Sequence, residues 1–318
     1  MHRRSAALFR YRVPLAPGAA LRQPLTERTG LIVHLVAGER QGWGEIAPLP
    51  GFSREILAEA QAETRRWLER WLSRNPPAAP ELPAVAFGIG CALAELDGRL
   101  PEAADYATAS LRTCAADAVQ PSATLAKLKL GLGAPEHDAL AVNALFANAP
   151  DLVLRLDANR AWTLAQAQAF ARGVKPEYRS RIEFLEEPCA TPQESLAFAA
   201  EAGIAVAWDE TLREPEFALT SQPGLRAVVV KPTLTGGPER CRELVDQAHA
   251  LGLTAVISSS IESSLGLTQL ARLAAWLTPQ TTPGLDTLAM MKAQVLRPWP
   301  GADLPLLTPE DLECLWQS

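Results

Sequence analysis

The chain has 318 residues, of which 48% are hydrophobic and 21% charged, and its net charge is −6. That is ordinary globular usage, with enough chain to bury a large core, either as one barrel or as a barrel plus a smaller domain. The acidity is modest and there is no basic stripe, which argues against nucleic acid as a partner; no apolar run is long enough to span a bilayer.

Phe9, Tyr11 and Val13 alternate with Arg10 and Arg12, the pattern of a half-buried strand and not of a signal-peptide core. Residues 31–36 read as a second strand, Gly38 and Glu39 as a turn, and residues 42–46 as the returning strand. Pro48, Pro50, Gly51 and Ser53 mark a loop. Residues 54–74 carry Ile56, Leu57, Ala60, Trp67 and Leu68 at helical spacing, and the breaker at 75–80 suggests a linker. An apolar helix is expected at 84–96. Strand candidates then fall near 109–114, 126–130, 152–157, 182–187, 205–210, 226–231, 254–259 and 284–287. Helices are expected at 163–173, 192–202, 238–251 and 263–277, with Pro192 and Pro238 in first turns. Strands alternating with helices imply a parallel sheet, and eight of them suggest closure. No GxGxxG or GxxxxGK[ST] supports an open nucleotide-binding sheet. The Pro-rich tail is expected to return to the N-terminal unit.

Five charged residues close successive strand candidates: Lys129, Asp157, Glu186, Asp209 and Lys231. In a parallel β/α barrel such positions meet at one mouth. Because side chains i and i+2 share a face, Lys127 points inward with Lys129, and Arg155 with Asp157. Parity also places Glu186 inside, leaving Glu187 a supporting or structural contact before Pro188. Three carboxylates give an oxygen-rich shell that suits Mg²⁺, with Mn²⁺ as a substitute, and not zinc. Two adjacent ammonium groups near a metal should lower the pKa of Lys129, so that it can take a proton from carbon next to a carboxylate. Lys231 reads as a second acid/base or as a fixed charge for an enolate. Gly236, Gly237 and the serines of 258–264 are candidates for a distal substrate carboxylate. None of the four histidines ends a strand; His34 reads as a hairpin residue and His137 as a loop residue. The five cysteines (Cys91, Cys114, Cys189, Cys241, Cys314) are scattered without a CxxC pair, as expected of reduced core thiols in a cytoplasmic protein.

LRLDANRAWT (154–163), FLEEPC (184–189), AWDE (207–210), VVVKPTLTGG (228–237), SSSIESSLGLTQLARLAAWLTP (258–279) and PGLDTL (283–288) resemble the enolase superfamily. The match is to its muconate-lactonizing-enzyme-like subgroup, with lysine on both sides of the barrel. GWGEIAPLPGFS (42–53) resembles the lid loop of the capping domain in the branch that dehydrates a cyclohexadiene carboxylate in menaquinone biosynthesis. The resemblance implies an α/β fold, a (β/α)7β TIM-like barrel over 96–295. It also implies an N-terminal α+β capping domain over 1–95, joined by the tail 296–318. It implies Mg²⁺ on Asp157, Glu186 and Asp209, and syn dehydration of 2-succinyl-6-hydroxy-2,4-cyclohexadiene-1-carboxylate. Lys129 would take the proton and return it to the departing hydroxyl, while Lys231 stays charged. Lys127, Arg155, Ser258, Ser259 and Gly284 would bind substrate, a small carboxylate. A cytoplasmic monomer with no membrane or nucleic-acid partner is expected. The alternatives are an N-acyl amino acid racemase or dipeptide epimerase of the same architecture, and a non-catalytic ligand-binding barrel.

Overall fold

The structure, a computed structural model, describes residues 4–16, 25–73, 77–101, 106–112 and 124–318. His2, Cys114, the start of the 75–80 breaker and the end of the 109–114 strand candidate lie outside the described residues. The chain forms two compact units. One comprises residues 1–107, 231–244 and 257–318, the other residues 108–230 and 245–256.

In the first unit, β1 (Arg4–Pro14), β2 (Glu27–Ala37) and β3 (Arg40–Ile46) form an antiparallel meander. Gly42 and Gly44 are fixed by close packing. A Cβ on either would stand 1.9 Å from a carbonyl oxygen, of Ala92 and Gly88 respectively. Only glycine lets the neighbouring helix come that near. After the lid-loop motif, whose turn is closed by Phe52 and Ser53 amides on the Leu49 carbonyl, α1 (Leu57–Leu72) begins. The helix starts later than its apolar spacing suggested. Ile56 is its N-cap and stands 64% exposed, because Glu59 folds back to accept the Ile56 amide and closes the first turn there. Trp67, Leu68 and Trp71 bury one face of α1 beside α2 (Pro83–Leu96). Full burial of such side chains contributes roughly 1.5–3 kcal/mol each.

The second unit is built on parallel strands that follow chain order. They are β4 (Ser110–Arg112), β5 (Leu125–Lys129), β6 (Val153–Asp157), β7 (Ile182–Glu186), β8 (Val206–Trp208), β9 (Leu225–Val230) and β10 (Thr254–Ile257). The connecting helices include α3 (Pro135–Asn148), α4 (Leu164–Gly173) and α5 (Pro192–Ala202). Sequence reading missed α3, although Pro135 at its first turn and buried Ala139, Val142, Leu145 and Phe146 carry the helical signal. His137 is therefore a helical residue and not a loop residue. Phe184, Ala207, Ala227, Val229 and Val256 form one buried cluster, the alternate side chains of neighbouring strands.

After β9 come α6 (Pro232–Thr235), α7 (Pro238–Ala250), β10 and α8 (Ser264–Leu277). The strand expected at 284–287 is reduced to one parallel bridge between Ser258 and Gly284. Pro283 offers no amide to a ladder, and the chain turns at once, with the Thr287 amide on the Leu285 carbonyl. The tail forms β11 (Gln294–Val295), β12 (Leu306–Leu307) and β13 (Glu313–Gln317). β13 pairs antiparallel with β1, so the last residues of the chain complete its first sheet. Among the described residues, no helix is long and apolar enough to cross a membrane.

Candidate active site

Backbone register brings the strand ends of the second unit together. Lys129 pairs with Asp157, and Asp157 with Glu186, across β5, β6 and β7. The Lys127 ammonium lies 2.9 Å from Asp157 Oδ2 and 2.6 Å from Glu186 Oε2. The Lys129 ammonium donates to the same Asp157 Oδ2 at 2.5 Å and to Asn159 Oδ1 at 2.9 Å. The lysine pair thus meets across a carboxylate, and the simple picture of two ammonium groups repelling each other is corrected by that intervening charge. For Lys127, burial works to lower the pKa, but the Asp157 and Glu186 charges outweigh it and raise the value well above that of a free lysine. Lys127 is a fixed cation here.

Asp157 and Glu186 are 1% and 2% exposed, as deeply buried as Asp209 at 1%. Asp209 follows β8 in a turn, with φ −126° and ψ −78°, and its Oδ1 accepts from Arg213 Nη1 at 2.6 Å. Among the described residues, no three His, Cys, Asp or Glu side chains stand together as a ready metal cage. Asp157 and Glu186 share one ammonium, whereas Asp209 is engaged by Arg213. Buried carboxylates repel one another, and each is compensated by a basic side chain. The donor chemistry still fits a hard divalent cation. The three groups are carboxylate oxygen donors at or just after the ends of consecutive strands, and two of them already hold a single positive charge between them.

Arg155 is buried, donates to Glu183 Oε2 at 2.7 Å and lies over the Phe184 ring. A register shift between Leu154 and Arg155 opposes two β7 residues to one on β6, which makes that pair possible. Glu187 is fully buried and accepts from the Asp209 and Thr211 amides, the Thr211 hydroxyl and Arg160. Burial pushes its carboxyl above the usual range despite these donors.

In the first unit, Lys231 is buried and caps α6, directly after the last residue of β9. Ser258 and Ser259 are held against Gly284. The Ser258 hydroxyl donates to the Gly284 carbonyl at 3.2 Å, and the Ser259 amide donates to the same oxygen at 2.9 Å. The Ser259 and Thr287 hydroxyls lie 2.9 Å apart. Glu45 of the lid-loop motif is buried at the start of α8, accepting from the Ser263 and Gly266 amides and the Tyr11 hydroxyl. Buried Arg28 donates to the carbonyls of Pro48 and Ile261, tying the lid-loop base to the serine loop. Sequence reading missed Asn159, Arg160, Thr211, Arg213 and Thr287. For Asn159 and Arg160 the signal is local: both take positive φ, 47° and 60°, immediately after Asp157.

Two family models match, one described as MenC, N-terminal domain, over residues 3–96 and one as enolase C-terminal domain-like over 110–300. An o-succinylbenzoate synthase of Enterobacter sp. (strain 638) is 57% identical over 98% of this chain and 99% of its own. One of Salmonella newport is 58% identical with the same coverage. The chain belongs to the o-succinylbenzoate synthase family. A crystal structure of a synthase from Thermosynechococcus elongatus BP-1, complexed with Mg in its active site, superposes with a TM-score of 0.70 at 25% identity. It covers 91% of this chain and 94% of that one. The L-Ala-D/L-Glu epimerase of Bacillus subtilis superposes at 0.74 with 20% identity over 91% of each chain, which shows a shared fold. The fold class is accordingly the α/β enolase type, a (β/α)7β barrel class with an N-terminal α+β domain, and members of that superfamily bind a divalent metal.

Proposed function

We propose that the protein dehydrates 2-succinyl-6-hydroxy-2,4-cyclohexadiene-1-carboxylate to o-succinylbenzoate. One observation carries this reading. In a chain 57% identical over its length to a named synthase, the Lys129 amine stands beside buried carboxylates at the ends of parallel strands. A divalent cation on Asp157, Glu186 and Asp209, Mg²⁺ or Mn²⁺ in its place, would supply charge to polarise the substrate carboxylate. Lys129 removes the proton from ring carbon 1, and its ammonium then protonates the hydroxyl leaving carbon 6 on the same face. Water departs, a carbon–carbon double bond forms and the ring becomes aromatic, so the elimination runs downhill. Asp157 and Asn159 hold the Lys129 nitrogen in place. Lys127, kept protonated, adds fixed positive charge for the developing enolate.

The remaining roles rest on the resemblance. Lys231 is the second fixed cation, and Arg155, Ser258, Ser259 and Gly284 bind the substrate's carboxylates and succinyl arm. The buried thiols of Cys91, Cys189 and Cys241 suit a reducing cytoplasm. The test is direct. Purified protein with Mg²⁺ should dehydrate the cyclohexadiene acid, and a chelator should stop it. Racemisation of an N-acyl amino acid without any dehydration would reassign the protein.

A further inference from the structure

We propose that Arg160 and Glu187 are positioning residues that set the backbone of Asp209 and thereby the divalent-cation affinity of the carboxylate site. The inference rests on the reading of Asp157, Glu186 and Asp209 as metal ligands and adds a device that reading does not contain.

Glu187 directly follows Glu186, yet it does not continue the strand. It takes φ +39°, in the left-handed region that a residue with a side chain seldom adopts. That turn points its carboxylate toward the loop after β8. Oε1 accepts from the amide of Asp209 itself at 3.0 Å and from that of Thr211 at 2.9 Å. Oε2 accepts from the Thr211 hydroxyl at 3.1 Å and from Arg160 Nε at 3.0 Å. Arg160 comes from the loop just after Asp157, also at positive φ. Its amide donates to the Glu187 carbonyl at 2.6 Å. Its Nη2 reaches the Thr211 hydroxyl and Glu214 Oε1, each at 2.6 Å.

One buried carboxylate therefore joins the three loops that follow Asp157, Glu186 and Asp209. β8 ends at Trp208, and the amide of Asp209, the next residue, donates to Glu187. Outer partners of this kind orient ligands, and their removal commonly weakens metal affinity about 10–100-fold.

Calorimetric titration of the full chain with Mg²⁺ and with Mn²⁺, checked for folding by circular dichroism, tests the proposal. Glu187→Gln keeps the size but loses the charge and one acceptor. It should weaken binding about 10–100-fold. Arg160→Met should do the same, and Arg160→Lys should recover part of the loss. Thr211→Val, which removes only a hydroxyl, is the mild variant in case Glu187→Gln does not fold; it should weaken binding several-fold. Folded variants that bind the metals as tightly as the parent would overturn the brace. A parent protein that binds neither metal would overturn the ligand reading itself, and the brace with it.

Discussion

Lys127 and Lys129 are two residues apart and share the oxygen of one carboxylate, yet they are not equivalent. Lys127 is pinned between two buried acids and is held charged. Lys129 donates to one of those acids, Asp157, and to the neutral Asn159 amide, and it is the more exposed of the two. We propose the proton-transfer role for Lys129. Lys129→Ala should lower kcat about 10²–10⁴-fold with unchanged circular dichroism, and should also abolish exchange of the carbon-1 proton with solvent. Lys129→Arg should not rescue, because a guanidinium stays charged at any working pH. Activity of Lys129→Ala within a few-fold of the parent would remove Lys129 from the mechanism. Parity along KLK and LRLD was enough to place the lysines and Asp157 on one face. Arg213 and Thr211 were not legible, since nothing in a local period says which distant cation a buried acid will take.

Among the elements, the packing of α2 and α8 on the first sheet turns on Glu95. Its carboxylate accepts from the Trp43 amide at 3.0 Å, from Gln269 at 2.8 Å, from Arg272 at 3.1 Å and from both terminal nitrogens of Arg297. Burial works to raise its pKa, but the Arg297 bonds and charge, with the other donors, outweigh burial and hold it below the ordinary glutamate value of 4.5. A carboxyl with a folded pKa below its unfolded one stabilises fully above the unfolded value, and that contribution fades as pH falls through the folded value. Glu95→Gln should therefore cost about 1–3 kcal/mol in urea unfolding near pH 7, and the gap to the parent should narrow as the pH drops from about 5 to about 3. A gap that stays constant across that window would show that the charge of Glu95 is not what matters. The elements themselves were mostly visible beforehand, because period-2 and period-3.6 apolar patterns survive in one dimension. The exceptions have physical causes: α3 begins in a Gly-rich loop and leaves Leu140 exposed, and the eighth strand is cut short by Pro283.

For the whole molecule, the decisive contact joins the two ends of the chain. β13 covers β1 with Leu8 opposite Trp316 and Phe9 opposite Cys314, and Ser318 closes the ladder through the Ala6 amide and carbonyl. Arg10 adds an ion pair to Glu313. Ending the chain at Leu312 would turn β1 into an open edge with unpaired amides. That truncation should lower the melting temperature by about 3–10 °C and promote concentration-dependent association on sizing columns. An unchanged melting temperature would mean that the terminal strand adds nothing to the sheet.

The sequence alone was sufficient for most of the β/α alternation, though not for α3 or the shortened eighth strand, and for which charged residues stand at or just after the strand ends. Both are local: apolar period fixes the element, and parity fixes the face. Tertiary structure decided the partners. It placed Asp157 between two ammonium groups, gave Asp209 to Arg213, turned Glu187 back onto the next loop and buried Glu45 at the start of a helix far along the chain. The reason is that a buried charge must find a counter-charge or a donor wherever the fold brings one within about 3 Å, and that distance in space leaves no trace in spacing along the chain.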